Sequence, residues 1–259
     1  MSWLQIFFKK SSRALEPLID FSFLQVDMHN HVLPGIDDGA PSLADAKLLY
    51  NGIIELGFSE IIPTPHIYPS VHENDANSIQ TAHNKAQLGN TFFGAEYMIN
   101  ADFNTHQSNF VSLPNQHLLV EFPYVYEPLG VKQILFNLQL QGFKVILAHP
   151  ERYIYYHQKP SLLQSFFDAG ILFQANLLAF QGYYGRQVQQ AAEYLLDKKM
   201  YSFAGTDAHH EGHLKALTAM QRNCKTMQIL QRYPFKNNTA FTPTTLAHTP
   251  QTSPQKMAL

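Results

Sequence analysis

Short apolar runs that stop abruptly at a histidine or an acid, each followed by a helix-forming stretch, most restrict what this chain can fold into. Lys144-Val145-Ile146-Leu147-Ala148 runs straight into His149-Pro150-Glu151-Arg152-Tyr153. Phe23–Met28 runs into His29-Asn30-His31, and Glu60–Thr64 into Pro65-His66. Leu118–Phe122 carries Glu121 near its end, a strand region around Phe92–Ile99 contains Glu96, and Ile171–Ala175 is a further run. Tyr201–Ala204 leads to Gly205-Thr206-Asp207-Ala208-His209. Runs that stay apolar on both faces belong to strands covered on both sides, which is the situation of a parallel sheet. Between them the spacing predicts helices. One starts behind Ser42 as N-cap, with Asp45 as a capping-box-like partner, and runs to about Leu56 before Gly57. Others are expected near 74–87, from Pro128 to Gly142, at 161–169, at 185–198 and, as a single helix, at 214–230.

Six or seven such units give an α/β fold with mostly parallel strands, and in one domain they favour a barrel over an open sheet. A chain of 259 residues suits one such domain. The expected limits are an N-terminal arm at 1–20, the domain at 21–232, and a tail at 233–259. That tail is rich in Thr, Pro, Asn and Gln, lacks apolar periodicity and reads as disordered. In the arm, Trp3-Leu4-Gln5-Ile6-Phe7-Phe8 precedes Lys9-Lys10. It is too short for a signal segment or a membrane span, and reads as a terminal arm or as a small amphipathic foot.

Charge excludes some functions. Only 15% of residues are charged and the net charge is −2, which offers no basic stripe for nucleic acid. The one cysteine, Cys224, allows no disulfide within the chain and fits a reducing cytoplasm. It is not the nucleophile of a thiol phosphatase either, because Leu230 stands where that chemistry needs an arginine.

His29 and His31 lie two apart, so on a strand they share a face and can converge on one cation. In a chain with thirteen histidines that pair alone means little. Position changes its weight. His29, His31, Asp38, His66, His149, Asp207 and His209 follow or end strands, Glu121 closes one, and Glu96 lies in or after another. In a parallel barrel those ends share one mouth, where active sites sit. Imidazole and carboxylate without thiolate suit Zn²⁺, Mn²⁺ or Fe²⁺, with the carboxylates leaning toward the harder ions. Five His, two Asp and two Glu exceed the needs of one ion and suit two or three, an arrangement that clamps a phosphoryl group.

With these residues assembled, the chain resembles the PHP (polymerase and histidinol phosphatase) superfamily. Within it, the chain is similar to the bacterial manganese-dependent protein-tyrosine phosphatases of capsule and exopolysaccharide gene clusters. The carrying strings between Phe23 and Met220 are Asp27-Met28-His29-Asn30-His31, Leu33-Pro34-Gly35-Ile36-Asp37-Asp38-Gly39, Thr64-Pro65-His66, Gly94-Ala95-Glu96, Leu119-Val120-Glu121-Phe122, Ala148-His149-Pro150-Glu151-Arg152-Tyr153 and Gly205-Thr206-Asp207-Ala208-His209. The resemblance implies a distorted (β/α)₇ barrel and three ions, usually Mn²⁺. It implies hydrolysis of phosphotyrosine by a metal-bridging hydroxide, with no phosphoenzyme. It makes His29, His31, Asp38, His66, Glu96, Glu121, His149, Asp207 and His209 the ligands, with Glu96 as bridge. Arg152 becomes the phosphate-binding arginine, and the chemistry centres on Arg152, Asp207 and His209. The expected partner is a phosphotyrosine protein, namely a tyrosine kinase controlling polysaccharide export, met in the cytoplasm without a transmembrane segment; the oligomeric state stays open.

One departure matters. Many relatives place an Arg-Pro-Pro run after the Asp-x-His motif, whereas here Ala208–Lys215 contains no arginine, leaving His210, His213 or Lys215 to compensate. Tyr68, Tyr124, Tyr126, Tyr153, Tyr155, Tyr156, Tyr183 and Tyr184 are dense near the expected mouth, and ordinary packing accounts for any one of them. Rival readings are a PHP phosphatase for a small molecule such as histidinol phosphate, a phosphodiesterase, an amidohydrolase, and a non-catalytic regulator on a decayed barrel. Glu96, Glu121 and Thr64-Pro65-His66 argue against the amidohydrolase, and the complete ligand set argues against decay.

Overall fold

Strands covered on both faces and helices with one apolar stripe follow one another along the chain. The computed structural model describes residues 18–89, 92–105 and 109–241. In order these form β1 (Val26–Asp27), α1 (Leu43–Glu55), β2 (Glu60–Ile61), β3 (His66–Ile67), α2 (Ala76–Ala86), β4 (Glu96–Met98), β5 (His117–Glu121), α3 (Val131–Leu140) and β6 (Lys144–Ala148). Then come α4 (Ile154–His157), α5 (Pro160–Asp168), β7 (Leu172–Asn176), α6 (Arg186–Asp197), β8 (Tyr201–Gly205), α7 (Glu211–Met220), α8 (Cys224–Arg232) and α9 (Asn237–Ala240). The sequence-predicted cap holds: Ser42 Oγ accepts from the Asp45 N–H at 3.3 Å, so α1 begins at Leu43 and buries Ala46, Leu49 and Ile53. Gly57 ends this unit at φ +108°, where a Cβ would stand 2.8 Å from Asp20 Cγ.

Every strand pair in the two sheets is parallel. β1 pairs with β2, and β3 to β8 form a six-stranded sheet in sequence order. The fold is therefore α/β with parallel strands, as expected, but the ladders do not form one unbroken ring. Pro63 and Pro65 lack the N–H a ladder needs and separate β2 from β3. Individual backbone bonds span both gaps. On one side Thr64 N–H donates to Asn30 O at 2.9 Å, and Gly94 N–H to Pro63 O at 2.8 Å. On the other, Asp207 N–H donates to His29 O at 2.8 Å and His31 N–H to Ala208 O at 3.0 Å.

The strands feed two apolar clusters. Val120, Val145, Leu147 and Phe173 pack outward under the helices, with Leu135, Phe166 and Leu195 among their cluster. Val26, Met28, Ile62, Leu119, Ile146, Ala148, Phe203 and Phe241 form a second cluster from strands of both sheets.

Four expectations need correction. A strand from Phe23 is replaced by a short 3₁₀ turn at Phe21–Phe23, because the Asp20 carboxylate caps it (Ser22 N–H, 3.0 Å) and Gln25 takes φ +62°. The strand near Phe92 starts only at Glu96. The single helix at 214–230 is two helices, since Asn223 caps a new start by accepting from Thr226 N–H. Lastly, the first residues of the supposed disordered tail are ordered: Tyr233 Oη bonds both backbone groups of Tyr201, and Phe241 is fully buried 5.0 Å from the Phe203 ring. Trp3–Phe8 and the chain after Phe241 lie outside the described residues.

Asn237 anchors that last segment across the β1–β8 seam. Its Nδ2 donates to Val26 O (2.9 Å) and Ala204 O (2.7 Å), while its Oδ1 accepts from Ala204 N–H (3.1 Å). Truncation leaves those backbone groups buried and unpaired, so N237A should lower stability by about 2–4 kcal/mol in urea unfolding. A loss below about 0.5 kcal/mol, the level of an ordinary surface change, would contradict this role.

Candidate metal centre

Parallel strands bring their C-terminal ends to one rim, and the site is assembled there from both sides of the β1–β8 seam. His29 and His31 follow β1, His149 follows β6, and Asp207 and His209 follow β8. Glu121 ends β5; His66 and Glu96 instead open β3 and β4 and stand opposite one another in register. Asp38 reaches in from the loop before α1 and is 60% exposed at its side chain, unlike the others.

Glu96 stands at the centre. Its Oε2 lies 3.1 Å from His29 Nε2, 3.4 Å from His31 Nε2 and 3.3 Å from His66 Nδ1, and its Oε1 lies 3.2 Å from His149 Nε2. Asp207 Oδ1 is 3.4 Å from both His29 and His31 Nε2. Glu121 Oε1 is 3.1 Å from His66 Nδ1, and Asp38 Oδ1 is 3.5 Å from both His66 Nε2 and His209 Nε2. Three overlapping groups result, each with donor atoms within 4.8 Å of one another: His31, Asp38, His66 and His209; His29, His31, Glu96 and Asp207; His66, Glu96 and Glu121. His149 stands beside them, in contact with Glu96.

The second nitrogens of the rings decide what this cluster can do. His31 Nδ1 lies 2.8 Å from Asp37 Oδ2, His29 Nδ1 lies 2.9 Å from Gln174 Oε1, and His209 Nδ1 lies 2.9 Å from Asp207 O. Each partner accepts only, so the proton sits on Nδ1 and the Nε2 lone pair faces inward. The lone pairs of His29 and His31 then point at each other across 3.4 Å and at Glu96 Oε2, a buried oxygen with no hydrogen-bond donor. Lone pairs aimed at lone pairs in a buried space call for cations between them, and nitrogen and oxygen donors of this number suit divalent ones.

Without an ion among them, the rings can meet the carboxylate charge only by taking a second proton, and the titration shifts run in that direction. Burial works to raise the Glu96 and Asp207 pKa values, yet the surrounding imidazoles hold both well below the carboxylate norm. For His29, burial favours the neutral ring, and Glu96 and Asp207 outweigh it to push the pKa up. Burial likewise opposes charge on His66, yet mainly Glu121 lifts it to about 9. Glu96 and Asp207 therefore stay ionised and demand positive charge in whatever sits among them. His149 and Asp207 also adopt left-handed backbone, at φ +32° and +51°, which costs about 1–3 kcal/mol each and recurs at functional sites.

The sequence pattern does not reveal the supporting groups. In Gly35-Ile36-Asp37-Asp38-Gly39 it singled out Asp38, whereas Asp37 is the buried one, bonding His31 and accepting from His66 N–H at 3.1 Å and Gly39 N–H at 3.0 Å. Gln174 and Asn176 were legible only as polar interruptions of the apolar β7. Asn176 Nδ2 donates to Asp207 Oδ2 at 2.9 Å. Arg152 Nη1 donates to that same oxygen at 2.9 Å, with the guanidinium against the rings of Tyr124 and Tyr184. Of the suggested stand-ins for a second arginine, Lys215 is spent on Glu211 at 3.0 Å, and His213 Nδ1 accepts from His209 N–H at 3.2 Å. A group that holds the outer nitrogen of a ligating ring sets metal affinity, so Q174L should weaken Mn²⁺ binding about 10–100-fold in competition with a chelator. Unchanged affinity would remove Gln174 from the site.

A family model for capsular polysaccharide synthesis, CpsB/CapC, matches residues 25–232. The tyrosine-protein phosphatase YwqE of Bacillus subtilis strain 168 is 28% identical over 198 residues, covering 71% of this chain and 77% of that protein. The tyrosine-protein phosphatase CpsB of Streptococcus pneumoniae is 22% identical over 201 residues, covering 71% and 83%. A crystal structure from the pair YwqE and CpsB, described as unique metal-dependent tyrosine phosphatases, aligns with TM-score 0.69 at 24% identity. It covers 84% of this chain and 95% of that one, and shows a shared fold. The matched span contains all nine candidate donors: the chain belongs to the CpsB/CapC family of capsular polysaccharide synthesis proteins.

Proposed function

We propose that this chain is a metal-dependent protein-tyrosine phosphatase acting within the control of capsule synthesis. The observation that carries the reading is Glu96 Oε2, buried without a donor and faced by imidazole lone pairs, with the Arg152 fork at the rim beside it. The names of the curated relatives supply the substrate class. The strands form, in this reading, a distorted seven-stranded barrel in which β2 and β3 count as one strand broken by Pro63 and Pro65. The enzyme domain then extends from about residue 21 past 232, to include the segment anchored by Asn237.

His29, His31, Asp38, His66, Glu96, Glu121, His149, Asp207 and His209 would hold up to three divalent ions, of which we favour Mn²⁺. Bound there, the ions supply Lewis acidity, neutralising phosphoryl charge and making water acidic enough to act as a nucleophile near neutral pH. The chain's own residues do the rest. Asp207 presents Oδ1 to the imidazoles and Oδ2 to Arg152, so one carboxylate sets the arginine against the cluster. The remaining N–H groups of Arg152, whose side chain is 20% exposed, have no acceptor among the described residues and would take phosphate oxygens in a planar fork. His209, fixed through Nδ1 on the Asp207 carbonyl, turns Nε2 toward Asp38 at the open side. A tyrosine leaving group needs little protonation, because a phenol has a pKa near 10.

Tyr124, Val125, Tyr126 and Leu129 in the segment that follows Glu121, and Ile154 and Tyr183 in segments that follow β6 and β7, are exposed, and Tyr124 lies against His149. Such exposed apolar side chains favour a phosphate carried on a polypeptide over a free metabolite. The substrate in this reading is a phosphotyrosine segment of a cytoplasmic tyrosine kinase; among the described residues no helix is long and apolar enough to cross a membrane. Chelation should abolish hydrolysis of a phosphotyrosine peptide and Mn²⁺ should restore it. R152M at full metal content should lower kcat/KM by about 10²–10³-fold. Activity that survives chelation, or faster turnover of histidinol phosphate than of the peptide, would overturn the reading.

A further inference from the structure

Arg152 is, among the described residues, the only Lys or Arg side chain ion-paired with a carboxylate of the cluster. Its Cζ lies 4.4 Å from the Tyr124 ring centroid and 4.3 Å from that of Tyr184. Both ring faces are therefore turned to the same guanidinium carbon, from two different segments of the chain. Tyr124 arrives from the loop after Glu121, and its ring is 5.8 Å from that of His149. Tyr184 is fixed in its turn, because its Oη accepts from Asn176 Nδ2 at 3.0 Å, and that amide also donates to Asp207 Oδ2. Asp207 in turn holds Arg152 Nη1. Two ring faces and one carboxylate thus restrain the guanidinium, and Asp207 is its one hydrogen-bond partner among the described residues. Of its five N–H groups one is engaged by Asp207.

We propose that Tyr124 and Tyr184 are positioning residues that hold the Arg152 guanidinium edge-on to a phosphate oxyanion. One rigid arginine thereby supplies the bidentate contact at the rim. The proposal rests on the phosphatase reading for its ligand. Its physical basis is separate: a long arginine side chain loses rotamer freedom when it binds, and a guanidinium already stacked has paid that cost before the ligand arrives. Neither tyrosine touches the reacting atoms in this scheme; both act through Arg152.

The test uses the full-length Mn²⁺-loaded protein, with inorganic phosphate binding measured by calorimetry and kcat and KM measured on a phosphotyrosine peptide. Y124L and Y184L should each weaken phosphate binding and lower kcat/KM by about 3–30-fold, the range of partly desolvated cation–π contacts, with metal content unchanged. Y124F and Y184F, which keep the rings, should recover most of the loss. In an R152M background the leucine substitutions should cost almost nothing further, since the tyrosines then have nothing to position. Equal losses with and without Arg152, or lowered metal content in the leucine variants, would show a merely structural role and overturn the proposal. So would absence of phosphate binding by the unsubstituted protein. If that protein binds phosphate in this ring-dependent way yet leaves the peptide intact, the phosphatase reading fails and the positioning role stands. If it hydrolyses the peptide and the leucine variants match it, the reverse holds.

Discussion

A buried carboxylate ringed by imidazole nitrogens is stable only if positive charge stands among them, and Glu96 is that carboxylate. Isolated in a protein interior it would surrender its charge by taking up a proton. Here the histidines around it hold it ionised, and Asp207 is held the same way. The whole rim serves this arrangement. Asp37 and Gln174 occupy the outward nitrogens of His31 and His29, so the inward lone pairs have one orientation. His149 and Asp207 accept left-handed backbone to bring their side chains inward. Such strain persists only where surrounding structure overdetermines it, and backbone bonds on both sides of Asp207 do so.

Because donors come from β1 on one side and from the end of β8 on the other, the centre depends on how these two strands are joined. No continuous ladder joins them. The junction is made by Asp207 N–H on His29 O, His31 N–H on Ala208 O, and a buried carboxylate, Asp27, that accepts from Thr206 N–H at 2.9 Å and Thr206 Oγ1–H at 2.6 Å. Burial raises the Asp27 pKa to about 6 against the pull of those Thr206 bonds, so the seam contains a second group whose charge is sustained by directed donors. Asn237 closes the opposite end of the same seam. A segment after the last long helix is in this way part of the scaffold that keeps His29 and His31 facing Asp207 and His209.

Asp207 also links the metal-type chemistry to the cationic rim. Its two oxygens face different partners, imidazoles on one side, Arg152 and Asn176 on the other. Two donors on Oδ2 restrain this carboxylate, which ties the position of the guanidinium to the position of the cluster. That coupling explains how a chain with no arginine in Ala208–Lys215 presents a fixed cation at the rim.

Much of this is legible in the sequence. Apolar runs such as Val145–Ala148 and Leu118–Val120 are long enough, and bounded clearly enough, to declare buried strands, and chemistry placed at their ends declares a common rim once the strands are parallel. Ser42 and Gly57 delimit α1 by purely local chemistry. These properties depend on neighbours in sequence, and so the sequence by itself determined the α/β class, the parallel order and the pool of candidate donors. What it left open depends on partners far along the chain. Which of Asp37 and Asp38 turns inward, and the roles of Gln174, Asn176, Tyr124 and Tyr184, are decided by contacts across tens to more than a hundred residues. The same holds for the ordered segment around Asn237, whose polar sequence has no periodic signal of its own and gains its place only from the carbonyls of Val26 and Ala204. Only the tertiary structure decided which nitrogen of His29 faces the cluster, because a tautomer is chosen by its hydrogen-bond partner and that partner, Gln174, sits on β7.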